Sequence, residues 1–271
     1  MMRSLWTAAS GMIAQQTNVD VISNNLSNVN TVGYNAETAE FKSLLYQTIQ
    51  TKTTSANGEQ KPIGAQVGLG SRNSSISTKY TDGAFTATGK TTDFALNGAG
   101  FFAVRGLDGE TYYTRNGSFN IAIGSEGLQL CNSDGLPVLD TNGEPIIFPD
   151  DYEASKITIT ADGEFCYPDE SNNPAPIGIT FGIYQFANAG GLEKMGGSLL
   201  KVSEASGEAM GEADNPNLKK STIRQSYLEA SNVAVVDEMV NLIVAQRAYE
   251  INSKAIQASD DMLQQANNLK R

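Results

Sequence analysis

The sequence predicts an α+β protein in which N- and C-terminal helices form a split coiled-coil/helical domain around a central all-β domain. Three observations predict it. Between Leu5 and Val29, residues at alternating steps of three and four are Leu5, Ala8, Met12, Gln15, Val19, Ile22, Leu26 and Val29. Within that series Leu5, Met12, Val19 and Leu26 fall seven apart, the repeat of a helical seam. The last forty residues repeat it with Val235, Leu242, Tyr249, Ile256 and Leu263, with Met239 on an intervening position. Between the two ends the period drops to two and turn residues take over. The expected boundaries are 1–45 with 228–271 for the terminal helical domain and 75–202 for the β domain. Segments 46–74 and 203–227 form an extended arm and connections.

From about Met2 to Asn28 the chain reads as one helix, with Gly11 its only glycine and no proline. Such a rod is roughly 40 Å long. It ends in the polar run Ser23 to Thr31, closed by Val32-Gly33-Tyr34, where Gly33 suits the left-handed position after a helix. The asparagines of this run have two readings: capping and solvation of the helix end, or side-chain amides that bond to neighbouring chains. A second short helix is expected from Glu37 to about Ile49, with Phe41, Leu44, Leu45 and Ile49 on one face. From Gln50 to Ser75 periodicity vanishes. That stretch reads either as a flexible linker or as an arm that orders against a neighbour, burying Ile63, Val67 and Leu69.

Past Ser75, glycine follows a polar residue at Asp82-Gly83, Asn97-Gly98, Asp108-Gly109, Asn116-Gly117, Glu126-Gly127, Asp134-Gly135, Asn142-Gly143 and Asp162-Gly163. Most of these are 8 to 15 residues apart, the rhythm of hairpins in a sandwich or barrel. Apolar stretches such as Phe101-Phe102-Ala103-Val104 lie between them. The clearest strand is Ile177 to Phe186, where Ile177, Ile179, Phe181 and Ile183 alternate with Gly178, Thr180, Gly182 and Tyr184. After a polar loop, Ile223 to Tyr227 reads as a strand. Ser231 or Asn232 then caps a helix running to about Asn268, roughly 55 Å long. Asp237 and Glu238 near its start and Lys270-Arg271 at its end both suit the helix dipole.

Composition excludes much chemistry. The formal net charge is −11 and the 19 basic residues are scattered, which argues against a nucleic-acid footprint and against adhesion to an anionic membrane. No apolar run approaches a membrane span. The N-terminus lacks the continuous apolar core of a signal peptide, so any route out of the cytoplasm is expected to need no cleaved signal. The chain contains no histidine, which removes Ser-His, Cys-His and His-metal sites. Cys131 and Cys166 sit without a nearby cysteine partner; two half-buried thiols are favoured over a disulfide. Asp140 to Glu144 has only the flavour of a calcium loop, and Gly64 to Gly70 matches no phosphate-binding fingerprint. The expectation is therefore no catalytic residue, no metal and no cofactor: not an enzyme.

Three sets of motifs carry a resemblance. At the N-terminus these are Ser4-Leu5-Trp6-Thr7-Ala8, Gln15 through Val29, and Thr31-Val32-Gly33-Tyr34. Near the C-terminus they are Ser231-Asn232-Val233, Glu238 through Ile243, and Gln246 through Ala255. In the middle they are Leu96 through Phe102 and Tyr113 through Phe119. Together they resemble the bacterial flagellar rod and hook proteins, in order and over nearly the whole chain. Leu44 through Ile49, the Ser/Thr/Gly-rich arm and the length are most similar to the distal-rod branch; other rod or hook axial subunits are the runner-up. Ser27 stands where the family usually has alanine, and Asn35 where a basic residue is common.

The resemblance implies a tubular polymer with terminal helices on the inner wall, a bracing arm and an outward β domain. It implies assembly contacts through Leu5, Met12, Val19, Ile22, Asn24, Asn25, Leu26, Asn28, Val29, Gly33 and Tyr34, and through Val235, Met239, Leu242, Tyr249, Ile256 and Leu263. The implied partners are further copies of the chain, other rod subunits, the hook protein and the surrounding bushing rings, with no nucleic acid and no small-molecule substrate. The implied location is the basal body across the periplasm, reached through the flagellar type III export apparatus. Apart from the family, a pair of helices cannot bury both of its members, so neighbours must supply surface. The competing class is an adhesin or binding module with helical tails.

Overall fold

Helix α1 (Met2–Ser27) and helix α2 (Val235–Asn268) form where the periodicity places them. They belong to a computed structural model that describes residues 2–50, 64–124, 127–149, 152–169 and 173–268. The chain folds into two compact units. One comprises Met1–Ser27, Glu37–Ser77 and Ala234–Arg271, the other Asn28–Ala36 and Thr78–Val233. The coarse class is α+β, with helices at the chain ends and strands between them.

In the first unit the two helices run antiparallel. Ser4 Oγ lies 3.2 Å from Ser259 Oγ, and a Cβ placed on Gly11 would come 2.8 Å from Asn252 Nδ2. Seven residues forward on α1 thus correspond to seven back on α2. One further step puts Asn18 opposite Ala245, which is 1% exposed. Small side chains let the helices approach closely, and crossing distance follows side-chain size. α2 starts later than expected. Asn232 does not cap it; the Glu238 N–H bonds to the Ala234 carbonyl at 3.0 Å, and the Asn232 amide is committed elsewhere. Asp237 and Glu238 do lie in its first turn, where negative charge is favourable.

The helix expected over Glu37 to Ile49 is absent; two strands, Glu37–Ser43 and Tyr46–Gln50, take its place. Glu37–Ser43 pairs with Ser71–Thr78, and Tyr46–Gln50 pairs antiparallel with Ala65–Gly68. Leu44 N–H to Gly70 O at 2.8 Å and Leu69 N–H to Leu45 O at 3.1 Å join the two ribbons. Thr38, Phe41, Tyr46, Thr48 and Ile49 suit a pleated surface. A lone short helix is marginal in water, so the returning segment wins by pairing the backbone. Gly70 (φ +116°) crosses α1 at Ser10, whose hydroxyl occupies the space a side chain would need. Val67 and Leu69 stay more than a third exposed, and Ile63 lies outside the described residues.

The second unit holds the core. Its largest sheet has six strands in the order Glu193–Lys194, Leu200–Lys201, Thr111–Thr114, Phe101–Arg105, Ile183–Gln185 and Met210–Gly211. Two three-stranded sheets and two strand pairs surround it. Phe94, Phe102, Phe119, Phe148, Phe165 and Phe181 are fully buried together. Their rings meet mostly edge-on or tilted at 4.7–6.3 Å, the arrangement aromatic quadrupoles favour.

The strand expected over Ile177 to Phe186 is two strands in different sheets. Pro174–Thr180 pairs with Glu164–Pro168, and Ile183–Gln185 with Phe101–Arg105. Gly178 (φ +84°) disturbs the first, and Gly182 passes too close to the Asp140 carbonyl to carry a side chain. Alternation survives this crossover, so periodicity cannot reveal it. Ile223 to Tyr227 is likewise split, at Ser226 (φ +63°), into Thr222–Gln225 and Tyr227–Glu229. Cys131 and Cys166 are free thiols, buried rather than half-buried; burial pushes both pKa values up.

Candidate assembly surface

Polar side chains in both units hold chain segments together. In the first, Asn25 is buried near the end of α1 and holds Glu37 through both the oxygen and the nitrogen of its amide. Its Oδ1 accepts the Glu37 N–H at 2.9 Å and its Nδ2 donates to the Glu37 carbonyl at 2.8 Å. One side chain thereby imitates a neighbouring strand and starts Glu37–Ser43 at the end of the helix. Asn24 is exposed, and its Nδ2 lies 3.4 Å from Glu37 Oε2.

In the second unit Gly33 adopts φ +67°, as its place after the helix suggested. Its N–H donates to the Glu229 carbonyl at 2.9 Å, and a Cβ there would meet the Arg115 carbonyl carbon at 2.7 Å. Asn28 Oδ1 accepts the Thr31 hydroxyl, and Lys194 Nζ sits 5.8 Å from the centre of the Tyr34 ring. Asn232 ties its own segment to two others. Its Oδ1 accepts the Ala36 N–H at 2.7 Å, and its Nδ2 faces the Lys79 and Thr81 carbonyls at 2.8 and 3.1 Å.

Arg115 organises the core end of this region. Its guanidinium reaches Glu229 at 3.1 and 3.2 Å, Asp82 at 2.7 Å, and the Gly98 and Gly100 carbonyls at 2.6 and 2.8 Å. Gly100 also donates its N–H to Ser221 Oγ at 3.0 Å, and Ser221 donates to buried Glu212. A Cβ on Gly100 would lie 2.7 Å from Glu212 and one on Gly98 2.6 Å from Ser221 Oγ, so the glycines of the 96–102 motif leave room for the buried Ser221–Glu212 pair. Sequence reading placed Arg115 in a motif but assigned it no role. A scattered charge carries no periodic signal of burial; only its neighbours reveal it.

The helices have a different character. The small seam just described leaves Leu5, Met12, Val19 and Leu26 one residue, about 100° of rotation, off the α1 contact line. They are half-buried, as are Val29, Val235, Leu242, Ile256 and Leu263; Ile22 is buried, and Met239 and Tyr249 are exposed. Val19 and Tyr249 line one open groove together with Gln16, Gln246 and Glu250, about 420 Å3 in volume. Outside it, Trp6 is 71% and Ile13 66% exposed. Val236, Val240, Ile243, Val244 and Ile251 form an exposed stripe on the side of α2 away from Ala245. Scattered exposed apolar residues are ordinary, whereas a continuous stripe marks an interaction surface.

Among the described residues no cluster of metal-ligating side chains occurs, and no helix is long and apolar enough to cross a membrane. The arrangement defines a class: a structural α+β subunit whose buried polar groups serve architecture and whose terminal helices present apolar faces. Three family models match the chain. Flagella basal body rod protein covers residues 5–35, the flagellar hook protein FlgE/F/G D1 domain covers 95–167, and the flagellar basal body rod FlgEFG protein C-terminal covers 224–269. The chain is 46% identical to the flagellar basal-body rod protein FlgG of Borreliella burgdorferi over the full length of both. It is 41% identical to that of Agrobacterium fabrum over 96% of this chain and 97% of the relative. It is 38% identical to that of Bacillus subtilis over the full length of both. The chain belongs to the flagellar basal-body rod protein family, whose members are structural proteins and not enzymes.

Proposed function

We propose that the chain is the structural subunit of the distal flagellar rod, polymerising through its terminal helices into a rigid tube that carries torque to the hook. The observation that carries this reading is the apolar surface left on both helices after they pair. A free monomer gains nothing from exposing it, whereas burial between copies returns roughly 25 cal/mol per Å2 of apolar area. Residues 1–45 and 228–271 are the polymerisation domain, with a helical, coiled-coil-like packing completed by neighbours. Residues 46–74 and 203–227 act as arm and connections, and 75–202 as the outward β domain. The contact residues are those of the two seven-residue series, with Ile22, Asn24, Asn25, Asn28, Val29, Gly33, Tyr34 and Met239. Asn25 contributes by fixing the helix end within its own chain. Other rod subunits, the hook protein and the bushing rings are the partners, and the type III apparatus delivers the chain without a cleaved signal. The relatives named as FlgG along their full length favour the rod over the hook.

Sedimentation and electron microscopy of the purified chain at rising concentration test this. Straight tubes are expected above a threshold, and curved ones would move the chain to the hook. Leu242→Asp should block assembly while the β-unit circular dichroism is kept, because the charge would have to be buried unpaired. A chain that stays monomeric at every attainable concentration refutes the reading.

A further inference from the structure

Resting on the rod-subunit reading, we propose that the groove between α1 and α2 receives the exposed α2 stripe of the next copy of this chain, a repeating head-to-tail contact. The groove is concave and apolar at Val19 and Tyr249. The stripe, Val236, Val240, Ile243, Val244 and Ile251, is convex and apolar. Both lie on one unit but on different faces of it. When the groove of one copy takes the stripe of the next, each added copy offers a fresh stripe, so a contact that does not close into a ring propagates as an open polymer. The groove also continues an interface the chain already makes, since its walls are the flanks of the Ser4–Ser259 and Gly11–Asn252 seam.

Charge agrees. The stripe face carries Arg247 and Lys254, while Glu250 lines the groove. Within the chain Arg247 pairs with Glu250 at 2.9 Å, with both side chains more than half exposed. Such an exposed pair contributes little, so handing Arg247 to the Glu250 of the next copy costs little. Copies in a head-to-tail polymer point the same way. That exchange therefore sets Ile243 of one copy at the level of Gln246 and Gln16 in the next.

The test is disulfide trapping in the full-length chain carrying Gln16→Cys and Ile243→Cys together. The native Cys131 and Cys166 are buried and remain unreacted. After assembly and mild oxidation, non-reducing electrophoresis should show a ladder of multimers, each new bond joining position 16 to position 243 by peptide mapping. Each single variant should give no ladder. Tubes that form normally but give only symmetric dimers, or no cross-link, overturn the groove assignment and leave the rod reading standing. Absence of any polymer overturns both. As a second measurement, Ile243→Asp should leave the helical circular dichroism unchanged, since this side chain is exposed in the monomer. It should raise the assembly threshold at least tenfold, and an unchanged threshold overturns the proposal.

Discussion

Arg115→Met removes the guanidinium from a site where it is 6% exposed and holds two carboxylates and two carbonyls. The loss falls chiefly on Glu229, whose side chain is 3% exposed and would be left buried and charged with only the Gly83 N–H, at 3.0 Å, for support. Breaking a buried pair from one side costs about 3–5 kcal/mol. The neighbouring partner predicts a contrast: Asp82 is 36% exposed, so Asp82→Asn should cost less than about 1 kcal/mol. The double variant Arg115→Met/Glu229→Gln keeps an acceptor for Gly83 and removes the stranded charge. It should recover roughly 1–2 kcal/mol of the single-variant loss. The assay is urea unfolding followed by near-ultraviolet circular dichroism of the tyrosines, because the sole tryptophan, Trp6, lies in the other unit. A loss below about 1 kcal/mol for Arg115→Met, or a double variant no better than the single one, would show that the clamp does not hold this core.

Gly33→Ala should cost more than about 2 kcal/mol, because a left-handed residue gains a side chain directed at the Arg115 backbone. Gly89→Ala is the comparison: at φ +75° with nothing within 4 Å of the added carbon, it bears the conformational cost alone, about 1 kcal/mol. Equal losses at the two positions would refute the steric account. Alkaline unfolding is the third expectation. Burial pushes the Tyr113 phenol up to about 12, and burial followed by the nearby Asp140 and Asp214 raises Tyr184. A folded-state value above the unfolded one means stability is complete below pH 10 and falls as pH rises from 10 to 12. Urea midpoints across that range should decline, and Tyr113→Phe should flatten part of the decline; an unchanged slope would refute it.

Much of this architecture is legible in the chain as written. A seven-residue repeat can be satisfied only by a helix, so α1 and α2 follow from spacing alone. The turn glycines announce a β centre because few other residues tolerate positive φ; Gly98, Gly109, Gly127, Gly135, Gly143 and Gly163 all adopt it. Composition alone removed histidine chemistry, and the terminal and central motifs pointed to the family. Tertiary structure decided what local pattern cannot carry. Strand or helix over Glu37–Gln50 depended on the later segments Ala65–Gly68 and Ser71–Thr78, and the break after Thr180 on the backbone of Asp140. The role of Arg115 depended on Glu229, far along the chain. The helical series, too, was visible as a repeat but not as a direction: Gly11 and Ala245 lie in the seam, Ile22 is buried, and Val19 and Tyr249 turn to the groove. Periodicity reports which residues share a face, whereas the partner of that face is set by what packs there, and that is a property of the folded chain.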